Sequence, residues 1–227
     1  MGKSEFYYLG FRSKTSRFSD VVGEEVRHSL GFRRFGNVDR KFNFNNEVIY
    51  QWGDIGGNTI SAFNLEFDLS YRLSQVSWTP IVGLKVDWSS GDRETADGKL
   101  QTFNPLFVNP GLYSLAAVNT PANLTSFHPN ILLFPAKNLS LYADYAIFFR
   151  TSKEDGLYAP PRFQTRAADT GTEKHIGDAV GINLTYSINR NAKLELISSY
   201  YIPGGFVKAS PPSNSIFYLA TTLTLRI

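Results

Sequence analysis

The sequence predicts an all-β fold, an antiparallel up-and-down barrel that crosses a membrane. Three observations carry this: strict alternation of apolar and polar residues, strand segments too long for an ordinary soluble sandwich, and connections that alternate between short and long. Residues 41–52 show the pattern first, with Phe42, Phe44, Val48, Tyr50 and Trp52 set against Lys41, Asn43, Asn45, Glu47 and Gln51. Residues 60–72 repeat it, Phe63, Leu65, Phe67, Leu69 and Tyr71 alternating with Asn64, Glu66, Asp68 and Arg72. In residues 77–89 the apolar set is Trp78, Pro80, Val82, Leu84, Val86 and Trp88, between Thr79, Gly83, Lys85, Asp87 and Ser89, with Ile81 the one exception. Period two is the signature of a strand. Soluble strands average about five or six residues, whereas a tilted strand that spans a bilayer needs about nine to eleven. Aromatic residues at the segment ends match an interfacial girdle.

Ten such segments are expected, near 5–12, 24–35, 41–52, 60–72, 77–89, 127–134, 138–150, 177–188, 192–202 and 215–227. Short links (36–40, 73–76, 135–137, 189–191) alternate with longer ones (13–23, 53–59, 90–126, 151–176, 203–214), the asymmetry of barrels with short periplasmic turns and long outer loops. An even strand number puts both ends on the periplasmic side. The last segment places Phe217, Leu219, Leu223, Leu225 and Ile227 on one face. The whole of 1–227 reads as one barrel domain or the C-terminal part of one.

Composition narrows the alternatives. Aromatics make up 15% of the chain, yet mean hydropathy is only -0.20, because polar and apolar residues alternate rather than segregate. No apolar run approaches the roughly 18 residues of a membrane helix, so a membrane reading requires a barrel. The absence of cysteine excludes disulfides and thiolate sites. A net charge of +3 without lysine-rich runs gives no indication of nucleic acid. The start, Met-Gly-Lys-Ser-Glu-Phe-Tyr-Tyr, lacks the apolar core of a secretory signal. His28, His128 and His175 are scattered, and neither a nucleophile elbow nor paired metal-ligand spacing occurs, so no catalytic residue, metal or cofactor is expected. Asn123, Asn138 and Asn183 begin glycosylation sequons without meaning in a bacterial barrel. The alternative reading is a soluble β-barrel that binds carbohydrate. It would bury Phe42, Phe44, Phe63, Leu65, Phe67, Trp78 and Trp88 instead of turning them outward.

Several pieces resemble the alginate export family of outer-membrane barrels: Glu47-Val-Ile-Tyr-Gln-Trp-Gly53, Ser90-Gly-Asp92, Thr102-Phe-Asn-Pro-Leu-Phe107, Tyr113, Asn123-Leu124, the strand from Leu139 to Arg150, Tyr201-Ile-Pro-Gly-Gly-Phe206 and Thr221-Thr-Leu-Thr-Leu225. The resemblance implies a bacterial outer-membrane protein in contact with lipid, which passes an anionic polysaccharide or small charged solute without energy input. It also implies a porin-sized wall of about 16 to 18 strands, so that further strands or a second chain would complete what is here.

If the polar faces line a lumen, its charged residues are Arg12, Arg27, Arg33, Lys41, Arg72, Lys85, Arg150 and Lys193, opposed by Glu25, Glu47, Glu66, Asp68, Asp87, Asp144 and Glu195. These nearly balance, which predicts only a weak anion preference and a rigid, ion-paired wall. The long connection 90–126 should fold into or over the barrel mouth. It carries too many apolar groups to stay solvated, among them Leu100, Phe103, Leu106, Phe107, Val108, Leu112, Tyr113 and Leu115, with Asn104 between them. Prolines 105, 110 and 121 should keep it from adding a strand, and Asp92, Arg93, Glu94 and Asp97 should keep its outer part wet. Asp92 is read as a turn former rather than a calcium ligand.

Overall fold

The computed structural model describes residues 2–107 and 118–226. Ten long antiparallel strands form one continuous meander: β1 (Lys3–Phe18), β2 (Val21–Val38), β3 (Phe42–Ile55), β4 (Asn58–Arg72), β5 (Ile81–Ser89), β7 (Leu124–Ala136), β8 (Leu139–Arg150), β11 (His175–Asn189), β12 (Ala192–Pro203) and β13 (Ile216–Leu225). Within the long connections lie β6 (Lys99–Leu100), the hairpin β9 (Leu157–Ala159) and β10 (Phe163–Arg166), and the single-turn α1 (Gly205–Lys208). All ten expected segments are strands of one sheet, which is the up-and-down barrel class. Among the described residues β1 and β13 are the two edges of the hydrogen-bonded path.

The alternation sets which face is which. Phe42, Tyr50, Phe63, Phe67, Leu69, Tyr71, Val82 and Leu84 are exposed on the outer face, and Trp78 is exposed beside them in a turn. Between them Asn64 and Gln51 are buried on the inner face, so the oily side looks outward, as a lipid-facing sheet requires. Outside, near one end, Tyr8, His28, Trp52, Tyr50 and Phe63 form a run of ring contacts 4.7–5.9 Å between centroids. This is a segment of an aromatic girdle, and it marks an interface level.

The strands run past the girdle. The expected loop 13–23 is instead a tight turn at Ser19 and Asp20, with Ser16 paired to Gly23 and Phe18 to Val21. Likewise 53–59 shrinks to a turn at Gly56 and Gly57, where positive φ values of 55° and 85° suit glycine. Polar composition had suggested loops, but these segments take cross-strand partners above the girdle, where polar side chains meet water. At the opposite end a link expected at 73–76 extends through Pro80, because Trp78 and Thr79 turn into the left-handed region at φ 65° and 43°. Trp78 and Pro80 therefore belong to a turn, not to β5 as the alternation suggested.

Among the described residues, two apolar clusters pack inside the long-loop end. Phe18, Val21, Ile55, Ile60, Leu100, Ala122 and Tyr158 pack as one buried cluster. Leu124, Ala146, Phe148, Leu157, Ile176, Ala179, Tyr201, Phe206 and Val207 form a second. In both, loop residues pack against inward strand residues, so Leu100, Ala122, Leu157 and Tyr158 of the connections after β5 and β8 lie inside the mouth rather than above it.

Candidate functional site: a lumen wall and an inserted loop

The loop enters the barrel through backbone pairing. Despite Pro105, Pro110 and Pro121, Lys99 and Leu100 form β6, parallel to Thr59 and Ile60 of β4. The expectation that prolines forbid any added strand fails because this pairing lies upstream of all three. From there the Ser90 hydroxyl donates to the Gln101 carbonyl at 2.6 Å, and the Phe103 amide donates to the Ser90 carbonyl at 3.0 Å.

Inside, Gln51 of β3 and Asn104 of the loop pair like a short strand. The Asn104 amide donates to Gln51 Oε1 and Gln51 Nε2 donates to the Asn104 carbonyl, both at 2.9 Å. Arg27 adds donations to Gln51 Oε1 (2.8 Å) and to the Thr102 carbonyl (3.1 Å), while its Nε meets Glu25 at 2.6 Å. Arg27 and Glu25 are fully buried, so this pair is a structural strut. Arg162, on the connection between β8 and β11, reaches the other Glu25 oxygen at 3.0 Å and the Ser16 hydroxyl at 3.1 Å.

A second seam joins the two connections to each other. Asp155 accepts from the Asp92 amide (2.9 Å), the Thr102 hydroxyl (2.6 Å), the Tyr158 hydroxyl (2.7 Å) and the Gly156 amide (2.7 Å). Burial pushes the Asp155 carboxyl up from its ordinary value despite these donors. Asp92 is also buried rather than wetting the loop. Its Oδ2 has no hydrogen-bond partner among the described residues, and burial together with the nearby Asp155 charge raises its carboxyl to about 6. Arg93 through Lys99 are exposed as expected.

The anticipated lumen residues divide into three groups. Arg33, Glu47, Arg72, Lys85, Asp87 and Asp144 do stand on the inner face. Across neighbouring strands, register places Arg33 opposite Glu47, Glu47 opposite Glu66, and Glu66 opposite Asp87. Tyr7 donates to Glu47 at 2.8 Å, and Ser126 donates to Asp87 at 2.8 Å. Arg33 donates to Asn45 at 2.7 Å and lies 3.6 Å from Glu5, and Arg72 stacks 5.6 Å over Phe134. His128 sits between Asp87 (3.7 Å) and Asp144 (3.9 Å).

Arg27 and Arg150 are buried in the plug instead. Arg150 donates to the carbonyls of Lys153, Asp155, Ala168, Gly171 and Glu173 at 2.8–3.3 Å, and lies 3.7 Å over the Phe206 ring. A guanidinium with five donors suits such a cage of carbonyls. The remaining two leave the wall altogether. Arg12 shares the outer face with Val26 and pairs with Glu24 at 2.6 Å, and Lys41 lies in the turn between β2 and β3, exposed at the rim.

Among the loop candidates Phe103 is buried and Phe107 is 86% exposed beneath the plug. Tyr113, like Val108, Leu112 and Leu115, lies outside the described residues. Between the loop and β1–β4 is a cavity of about 310 Å³, lined among others by Tyr7, Arg33, Glu47, Glu66, Asn104 and Phe107.

A family model described as "Alginate export" matches residues 1–220. The chain belongs to the alginate export family. No curated protein sequence matches it. Among solved structures, a NanC porin in a rhombohedral crystal form is similar at 7% identity and TM-score 0.47, covering 100% of this chain and 97% of that one. The segments that resemble the alginate export family fall on the features just described: 47–53 on the inner wall and girdle of β3, 90–92 and 102–107 in the inserted loop, and 201–206 at the turn into α1, where Phe206 carries Arg150.

Proposed function

We propose that the chain forms the wall of a passive channel in the bacterial outer membrane, through which a charged or polysaccharide solute passes beneath and around the inserted loop. The observation that carries this is the pairing of an outward apolar face with an inward polar wall narrowed by residues 102–107. A soluble carbohydrate-binding barrel would bury Phe42, Phe63 and Phe67, and all three are exposed. Membership of the alginate export family points the same way. Because a sheet edge left unpaired in hydrocarbon is untenable, we read β1 and β13 as the strands that either meet each other or receive further strands or a second chain.

The test is single-channel recording of the protein in planar bilayers. Replacing Thr95 to Asn119 with a short Gly/Ser linker should raise conductance clearly in a folded barrel, since it removes Phe103, Asn104 and Phe107 from the lumen. Unchanged conductance would reduce the loop to a rim cap. Protein that stays monomeric and soluble without detergent would overturn the membrane reading.

A further inference from the structure

We propose that a groove on the outer rim, where β5 and β8 run into their long connections, holds the phosphate of a phosphorylated glycolipid whose acyl chains lie on the apolar face below it. This rests on the outer-membrane reading, which supplies the lipid. The groove, of about 450 Å³, is lined by Trp88, Arg93, Thr151, Lys153, Glu154 and Lys174 among others.

Alternation builds its apolar side. Leu65 of β4 stands opposite Trp88, Trp88 opposite Thr125 of β7, and Thr125 opposite Phe149 of β8. All four share the face that carries the exposed Phe63 and Phe127, which is the outer one. The Thr125 and Thr151 hydroxyls meet at 2.8 Å, and the Phe149 ring lies 5.4 Å from that of His175. β5 ends at Ser89 and β8 at Arg150, so Trp88 and Phe149 are the last outward rings of their strands. Such rings mark the level at which hydrocarbon gives way to headgroups.

Cations stand just past that level. Arg93, Lys153 and Lys174 are all exposed, and Lys174 Nζ is held to the Thr151 carbonyl at 2.7 Å. Arg12, Arg33, Lys99 and Lys193 each have a carboxylate within 4.0 Å, whereas among the described residues Arg93, Lys153 and Lys174 have none at that distance. Glu154 is the one carboxylate in the lining, against three cations. Glu173, beside Lys174 in sequence, turns its side chain toward Gly205 instead. Guanidinium and ammonium donors with no carboxylate to satisfy suit a phosphate, which accepts several charged hydrogen bonds at once. Because the groove opens over the lipid-facing wall and not over the lumen, its anion is that of a lipid rather than of a polymer in transit.

The experiment titrates the full chain in nonionic detergent with diphosphorylated lipid A, dephosphorylated lipid A, inorganic phosphate and a uronate hexamer. Lipid A should bind about tenfold more tightly than its dephosphorylated form, and neither inorganic phosphate nor the hexamer should displace it at equal concentration. Arg93→Gln/Lys153→Gln should abolish that tenfold preference. Arg40→Gln/Lys41→Gln removes the same charge from the turn at the opposite rim and should leave the preference intact. Both pairs are exposed outside the strands, so neither variant disturbs the sheet. Equal loss in the two variants would reduce the effect to general attraction and overturn the inference. Displacement by inorganic phosphate or by the hexamer would overturn it too, assigning the groove to a free ion or to a polysaccharide. A protein that conducts in bilayers without preferring the phosphorylated lipid sinks this inference alone, whereas one that stays soluble and monomeric without detergent sinks the outer-membrane reading with it.

Discussion

The Arg162 guanidinium donates across 3.0 Å to the Glu25 carboxylate, joining the connection after β8 to a strand near the other side of the sheet. In a flat sheet β2 and β8 would be five strand spacings apart, about 24 Å. The contact therefore shows that the connection after β8 reaches across the inner face to β2. Arg162→Ala should leave Glu25 its Arg27 partner and cost about 1.5–3 kcal/mol, the range for a hydrogen bond to a charged group. Arg27→Ala, at a fully buried pair, should cost about 3 kcal/mol or more. Urea unfolding in micelles should rank the two in that order.

The seam between the two connections should tighten in mild acid. Asp92 titrates near 6, above its ordinary 3.8, because burial and Asp155 disfavour its charge. A carboxyl raised in the folded state is protonated there while still ionised in the released loop. Its stabilising contribution is therefore full below about 4 and is lost as pH rises through about 6. Limited proteolysis within residues 93–99 should slow as pH falls from 8 to 5, and Asp92→Asn should lower the rate and weaken its pH dependence, what remains coming from the raised Asp155 carboxyl. An unaltered pH profile in the variant would remove Asp92 from this role.

Arg34 poses a separate question of lipid exposure. It is exposed and shares its face with outward Leu30 and Phe67, by way of Asn46 of β3. Arginine on the lipid side of a barrel costs up to about 2–4 kcal/mol at mid-depth, and less near an interface. Arg34→Leu should therefore raise the unfolding midpoint in lipid vesicles. A lowered midpoint would mean that Arg34 holds a partner.

Ion selectivity should follow the residues that remain on the wall. With Arg12 outside, Lys41 at the rim, and Arg27 and Arg150 in the plug, the inner strands keep Arg33, Arg72, Lys85 and Lys193 against Glu47, Glu66, Asp68, Asp87, Asp144 and Glu195. The weak anion preference expected from the sequence becomes a weak cation preference. Reversal potentials in a salt gradient check the sign.

The ten strands were legible because a half-buried sheet writes its two environments into alternate residues, as in Phe63 to Tyr71. Depth was not legible. Alternation assigns Arg27 and Arg33 to one face but cannot tell that loop residue Thr102 covers the first and not the second. Arg12 was misplaced for a different reason: Tyr7, Leu9 and Phe11 are as apolar as Phe6 and Tyr8, so β1 does not declare which face is the inner one. Nor could local pattern find Asp155, whose role depends on Asp92 and Thr102, 63 and 53 residues away.

The outward tryptophans make the protein its own depth gauge. Trp52 in the girdle and Trp88 on the outer face of β5 sit at the long-loop end, and Trp78 lies in the turn at the opposite end, so in a bilayer Trp78 would report a different leaflet from the other two. Brominated lipid confined to one leaflet should quench Trp78 and spare Trp52 and Trp88, or the reverse. In variants that retain a single tryptophan, the order in which quenching appears during refolding would report which end of the hairpins enters the bilayer first.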